Sequence, residues 1–279
     1  MYKLLALDID ETITHVPTQA PAEIAEAIDR ARDNGLRVAL ATGRGYKGSS
    51  TIVKQLKICE PVINYGGAII SNPYDGSCVY STEISPELVI DVLETARKLG
   101  IHAHIYQGDT VIGEHPDDYM LAYCERLDLP MECDAQLRSK QWHNVPKVLM
   151  MTTEEHAAEL RPMLQEQYKG RLKVSGSSKG FIEFNHLSAH KGSGLAWLAE
   201  YLGIKQEEVV AVGDNSLDME MIQWAGLGCA VANAKEDVRA AADLVIPSCS
   251  EFGVAHLING ILDGKEEKMR KNVKTEIEI

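Results

Sequence analysis

Two rhythms of apolar and polar positions alternate along the first eighty residues. Residues 3–8 form a short apolar run ending in acids, and residues 36–41, 61–64 and 68–70 repeat that style. Between the first two runs, residues 21–34 place alanines and isoleucines at helical spacing, with Pro21 in a first-turn position and Gly35 as a stop signal. The same alternation returns late in the chain. Residues 192–202 read as a helix, 209–212 as a buried strand, 217–224 as a helix and 227–230 as a strand, with 243–246 and 251–262 closing the series. Short apolar strands separated by amphipathic helices predict an α/β fold, a doubly wound parallel sheet covered on both faces.

The middle of the chain has a different pattern. Ser85 and Pro86 open a helix that runs through Lys98 and stops at Gly100, and residues 101–106 and 110–113 read as a hairpin around Gly108. A helix is expected over 116–127, a strand over 147–151, a helix from the cap Thr153 to about Tyr168, and a second hairpin from 171–175 and 180–184. Two helix–hairpin units inside a doubly wound domain predict an inserted α+β domain at residues 83–186. The core is then discontinuous, formed by 1–82 and 187–265. Residues 266–279 are charged with little apolar periodicity and are expected to be a frayed helix or disordered.

The length of 279 residues accommodates one large or two modest domains, and 45% hydrophobic with 25% charged residues is ordinary for a globular protein. No apolar run is long enough to span a bilayer, and the first residues lack the pattern of a secretory signal, so a cytoplasmic location is expected. A net charge of −13 argues against wrapping nucleic acid or resting on an anionic membrane. It leaves room for an anionic small molecule, because a divalent cation and a few local bases reverse the field inside one cleft. The six cysteines are scattered with no Cys-x-x-Cys pair, which predicts reduced, mostly buried thiols and no zinc site. His102 and His104 share a strand face, but two such residues without a third ligand read as surface positions.

Candidate chemistry collects at the ends of the predicted strands. Asp8-Ile9-Asp10-Glu11-Thr12 closes the first, where residues two apart emerge on one face at the carboxyl edge that binds ligands in open parallel sheets. Two neighbouring carboxylates repel unless a proton or a cation intervenes. An Asp-x-Asp-x-Thr string arises by chance in roughly one chain in thirty of this length, so by itself it also fits a solvated acidic loop. Ala41-Thr42-Gly43-Arg44-Gly45 closes the second strand with a hydroxyl and glycine-freed N–H groups, which suit either a phosphate cradle or an ordinary helix cap. Lys191 opens a late helix, and Gly213-Asp214-Asn215-Ser216-Leu217-Asp218 follows the strand at 209–212. Four such junctions in one sheet are hard to read as coincidence.

Taken in order, these junctions resemble the four motifs of the haloacid dehalogenase-like superfamily. The resemblance rests on Leu-Ala-Leu-Asp-Ile-Asp-Glu-Thr, Ala-Thr-Gly-Arg, the late lysine, and Gly-Asp-Asn-Ser-Leu-Asp-Met-Glu-Met, and it extends to about residue 262. The insertion between the second motif and the lysine resembles the Cof-like sugar-phosphate phosphatase branch, as do residues 179–184 and 252–255. The resemblance implies a Rossmann-like core with an α+β cap, and Mg²⁺-dependent hydrolysis of small phosphorylated metabolites. Asp8 matches the nucleophile and Asp10 the general acid and base. Asp8, the Asp10 backbone carbonyl and Asp214 match the Mg²⁺ ligands. Ile9, Thr42, Gly43 and Lys191 match the groups around the substrate phosphate, with Asn215, Asp218 and Arg44 in support. The cap is expected to set specificity, with His102, His104, Tyr106 and His115 as contributors.

Two positions depart from the family pattern. Leu217-Asp218 stands where Asn-Asp is frequent, and Gly66-Gly67-Ala68 stands for Asn-Gly-Ala, with Asn64 and Asn215 as compensating amides. A phosphomutase sharing the same aspartyl-phosphate, and a phosphometabolite-binding protein with weakened chemistry, are the alternative readings.

Overall fold

A computed structural model describes residues 1–176 and 179–265, so the charged tail expected at 266–279 lies outside the described residues. The chain forms two compact units. The first comprises Met1–Thr42, Ser49–Val79 and the described chain from His190 to residue 265, and the second comprises Gly43–Gly48 and the described residues of Tyr80–Ala189.

The first unit is built on five parallel strands in the order Leu244–Ile246, Leu227–Val231, Val209–Gly213, Leu4–Leu7 and Arg37–Leu40. Leu7 lies opposite both Val212 and Leu40 in the register. The strands are apolar throughout because both faces are covered. Leu5 and Leu7 point to one side, packing in a cluster with Ile24, Ile28, Val254 and Leu257, while Leu4 and Ala6 point to the other with Leu195 and Leu198. Each fully buried leucine contributes about 1.5–3 kcal/mol relative to an exposed one. The helix Tyr46–Gln55 was not marked by apolar periodicity, since Gly48, Ser49, Ser50 and Thr51 are weak helix formers. Packing of Ile52 and Val53 into the core compensates for that propensity.

The second unit carries a six-stranded sheet in the order Leu172–Ser175, Phe181–His186, Lys147–Met151, His102–Gln107, Thr110–Gly113 and Met131–Cys133. Neighbours are antiparallel except the last pair. The helices Pro86–Leu99 and Glu154–Gln167 pack on one face through Val92, Leu93, Leu160 and Leu164. Met131–Cys133, an exposed three-residue strand, has no apolar signature in the sequence. Among the described residues, no helix is long and apolar enough to cross a membrane.

His102 and His104 are not surface residues, since they are 9% and 0% exposed. They belong to a hydrogen-bonded row on the opposite sheet face, which also carries Tyr106. Asp117 Oδ2 meets His102 Nδ1 at 2.7 Å, His102 Nε2 meets His104 Nδ1 at 2.7 Å, and His104 Nε2 meets Tyr106 Oη at 3.1 Å. Tyr106 Oη then meets Tyr123 Oη at 2.7 Å. With Asp117 ionised, each link has one consistent donor, and both imidazoles are neutral with their proton on Nδ1. Asp117 also caps the helix Asp118–Leu127 by accepting the Met120 N–H at 2.9 Å. The cysteines divide evenly instead of being mostly buried: Cys124, Cys229 and Cys249 are inside, Cys59, Cys78 and Cys133 are outside, and none forms a disulfide.

Burial pushes both imidazoles below the ordinary histidine value, His104 far below it. The unfolded chain therefore takes up protons near pH 6.5 that the folded unit refuses, and stability is lost as pH falls below that value. Replacing His104 by Gln should flatten the fall in folding free energy between pH 7.5 and pH 5.5, by up to about 1.4 kcal/mol per pH unit. Urea melts across that range measure it. Equal slopes in the two proteins would contradict the assignment.

Candidate active site

The first strand ends at Leu7, one residue before its expected limit, and Asp8 begins the loop that follows. The Asp8 N–H donates to the Val212 carbonyl at 3.0 Å, which ties this loop to the neighbouring strand. Ile9 is fully buried and anchors a tight turn in which the N–H groups of Ile13 and Thr14 both donate to its carbonyl. Glu11 sits in the left-handed region at φ 60°, its N–H donating to the Thr14 carbonyl. Asp8 is buried at 3% exposure, whereas Asp10 remains half-buried.

Lys191 is the first residue of the helix Lys191–Tyr201, which His190 caps by accepting the Ser193 N–H on Nδ1 at 3.1 Å. This start is locked against Gly67, where a Cβ would lie 2.2 Å from the His190 carbonyl oxygen. Lys191 is 1% exposed, and its Nζ donates to Asp8 Oδ1 and to Asp218 Oδ1, each at 2.5 Å. Asp218 Oδ2 accepts the backbone N–H groups of Asp214 and Asn215 at 3.0 and 3.1 Å. Both Asp218 oxygens are thus engaged. Asp214 Oδ1 receives the Thr12 hydroxyl at 3.3 Å and the Asn215 amide at 3.1 Å. Thr12 stood in the first motif, yet the sequence carried no sign that it reaches a loop 202 residues away.

Carboxylate oxygens of Asp8, Asp214 and Asp218 lie within 4.8 Å of one another. Among the described residues Lys191 pairs with two of these acids, Asp8 and Asp218, so three carboxyl groups cluster around one ammonium. Burial, reinforced by Asp218, holds the Asp8 carboxyl well above the usual carboxylate range. The same causes push Asp214 up to about 6. Burial alone would lower the Lys191 ammonium, but Asp218 and Asp8 outweigh it and hold the group above an ordinary lysine. Burial first, then the nearby acids, pushes the Cys249 thiol up to about 12, which keeps it protonated and out of the chemistry.

The site fits a hard divalent cation. Its donors are oxygens, its acids outnumber the ammonium among them, and Asp8 Oδ2 is buried with no hydrogen-bond partner among the described residues. With Asp218 committed elsewhere, Asp8 and Asp214 are the carboxylates left to bind it. The Asp10 carboxylate is not part of the cluster.

The remaining expected residues divide. Thr42 is buried at the end of the Arg37–Leu40 strand, where its N–H donates to the Ile63 carbonyl at 2.8 Å and its carbonyl accepts the Gly66 N–H at 2.9 Å. Gly66 has φ 64° and ψ 25° with open space at its Cβ position. Glycine and asparagine both tolerate that left-handed conformation. Gly43 and Arg44 belong to the Gly43–Gly48 segment of the second unit, where the Arg44 guanidinium donates to the Gly48 carbonyl at 2.9 Å. Asn64 is buried and donates to the Ser49 hydroxyl at 3.0 Å. Leu217 is half-buried, and its N–H donates to Asn215 Oδ1 at 2.9 Å. The Asn215 side chain thus braces the Asp214 loop from both of its ends.

Comparison with known proteins places the chain in a family. The family model described as haloacid dehalogenase-like hydrolase matches residues 5–258. The 5-amino-6-(5-phospho-D-ribitylamino)uracil phosphatase YitU of Bacillus subtilis is 26% identical over 91% of this chain and 96% of its own length. Phosphatase YwpJ of the same organism is 26% identical over 93% of this chain and 100% of its own. Among solved structures, a haloacid dehalogenase-like hydrolase from Bacteroides thetaiotaomicron superposes with a TM-score of 0.82 at 28% identity, covering 94% of this chain and 100% of that one. The chain belongs to the haloacid dehalogenase-like hydrolase family, as a phosphoric monoester hydrolase of its Cof-like branch.

Proposed function

We propose that this protein is a Mg²⁺-dependent phosphatase that hydrolyses monoesters of small phosphorylated metabolites, sugar phosphates among them, through an aspartyl-phosphate at Asp8. The observation that carries this reading is the Asp8 side chain: one oxygen is held by Lys191, and the other is buried near Asp214 without a hydrogen-bond partner among the described residues. Mg²⁺ held by Asp8, the Asp10 carbonyl and Asp214 would neutralise the local excess of negative charge and polarise the phosphoryl group. The Asp8 carboxylate attacks phosphorus, forming an acyl phosphate as the ester P–O bond breaks. The half-exposed Asp10 carboxyl gives its proton to the departing oxygen, then removes one from the water that hydrolyses the acyl phosphate. Lys191 holds Asp8 in place and, with the Thr42 hydroxyl and the N–H groups of Ile9 and Gly43, offsets charge on the phosphoryl oxygens.

Residues 1–82 and 187–265 carry the chemistry in this reading, and the α+β cap at 83–186 sets substrate choice. The naming of YitU for a phosphorylated ribitylamino-uracil supports a small phosphorylated metabolite as the substrate class. A net charge of −13 supports a small-molecule partner in the cytoplasm over nucleic acid or a membrane surface. A panel of phosphorylated metabolites assayed for inorganic phosphate tests the activity, and a panel giving isomers without phosphate release would favour a mutase. Exhaustive EDTA treatment should abolish turnover and Mg²⁺ should restore it. Ca²⁺ should bind with little turnover, since its looser and larger coordination misplaces the attacking oxygen. Full activity in the chelated protein would contradict the role given to the cation.

A further inference from the structure

We propose that Asn233 is a positioning residue for the acid–base carboxyl of Asp10, an inference that rests on the phosphatase reading above. Asn233 follows the strand Leu227–Val231 in a turn closed by the Ala234 N–H donating to the Val231 carbonyl at 2.9 Å. Its amide spans two distant segments. Nδ2 donates to the Glu11 carbonyl at 2.8 Å, and Oδ1 accepts the Cys249 N–H at 2.8 Å.

The contact with Glu11 matters because of that residue's conformation. Glu11 has a Cβ, yet it is held at φ 60°, which L-residues with side chains rarely adopt without outside support. Its N–H is fixed by the Thr14 carbonyl and its carbonyl by Asn233, so both of its backbone polar groups are tied in that geometry. Asp10 is the residue immediately before it. Rotation about Glu11 φ swings the preceding peptide, and with it the direction of the Asp10 side chain.

The turn around Asn233 also braces the other catalytic loop. The Lys235 N–H donates to the Asp214 carbonyl at 2.9 Å, so one short segment holds the backbone on both sides of the site. The segment itself is clamped: the Arg239 guanidinium donates to the carbonyls of Ala232 and Ala234 at 2.9 and 2.8 Å. Asn233 is exposed, so packing does not explain an amide with both ends engaged.

A residue that aims a general acid affects esters in proportion to how much their leaving oxygen needs a proton. Phenyl phosphate departs as an oxygen with the basicity of a tyrosine, pKa about 10, whereas 4-nitrophenyl phosphate leaves as a weakly basic phenolate. Asn233→Asp keeps the acceptor for Cys249 but replaces the donor to Glu11 with a repelling oxygen. It should lower kcat/KM for phenyl phosphate on the order of tenfold or more while changing that for 4-nitrophenyl phosphate by less than about twofold. Asp10→Asn should show the same selectivity, larger in size. Asn233→Ala, which removes both hydrogen bonds without adding charge, carries the same comparison should the aspartate variant fail to fold. A wild type that releases phosphate, with variants that fall equally on both esters or on neither, overturns the positioning role and leaves the phosphatase reading standing. A wild type silent on both esters, in Mg²⁺ and with metabolites alike, overturns both.

Discussion

Exchanging Asp8 for asparagine is expected to silence the enzyme while leaving the metal-free fold at least as stable as before. An amide is a poor nucleophile, and loss of an attacking group reduces turnover on the order of 10⁴-fold or more. The stability expectation follows from the electrostatics. Burial, then Asp218, disfavours the charged Asp8 carboxylate more than Lys191 favours it, which is why its pKa is raised. Asparagine removes that charge at nearly constant volume, and Lys191 keeps Asp218 as its partner. In EDTA, the melting temperature of Asp8→Asn should equal or exceed that of the wild type, by about 2–4 °C for each kcal/mol relieved. Wild-type phosphate release by the variant would reject the mechanism. A clearly lower melting temperature with normal folding would reject the electrostatic account.

The opposite outcome is expected at Lys191. Its Nζ stands between two buried carboxylates, and Lys191→Met would leave Asp8 and Asp218 facing each other with nothing between them. Breaking a buried pair by removing one partner costs about 3–5 kcal/mol, because an uncompensated charge stays inside. Urea denaturation of Lys191→Met should show a loss of that size together with loss of turnover. Adding Asp8→Asn to the same protein should restore part of the stability, since one stranded charge disappears. The single variant should also recover stability as pH falls: stranded carboxyls take up protons in the folded state at a higher pH than in the unfolded chain. A Lys191→Met protein as stable as the wild type would show that the triad contributes nothing to the fold.

What could be read from the sequence depended on whether a feature had a local signature. Leu4–Leu7 and Val209–Gly213 were legible because strands buried on both faces are apolar at every position. Asp8 and Asp214 were legible because acids directly after such strands stand at a ligand-binding edge. The helix Tyr46–Gln55 was missed because its formation depends on tertiary packing of two residues and not on propensity. The burial of His102 and His104 was missed because a histidine looks the same in sequence whether solvated or satisfied. Only the row from Asp117 to Tyr123, drawn from a strand and a helix, shows which. The contacts of Lys191 with Asp8 across 183 residues, and of Asn233 with Glu11 across 222, have no local trace at all.

The central strand of the first unit has a consequence for synthesis on the ribosome. Leu4–Leu7 is made long before one of its two neighbours, Val209–Gly213. At roughly 5–20 residues per second, that neighbour arrives on the order of tens of seconds later. The contiguous stretch Tyr80–Ala189 has been made in full by then. Throughout the interval, four apolar residues present an open pairing edge, the kind of surface that recruits chaperones or aggregates. The Asp8 N–H likewise waits for the Val212 carbonyl. The carboxylate cluster therefore cannot assemble until Asp214 and Asp218 have been made, long after Asp8.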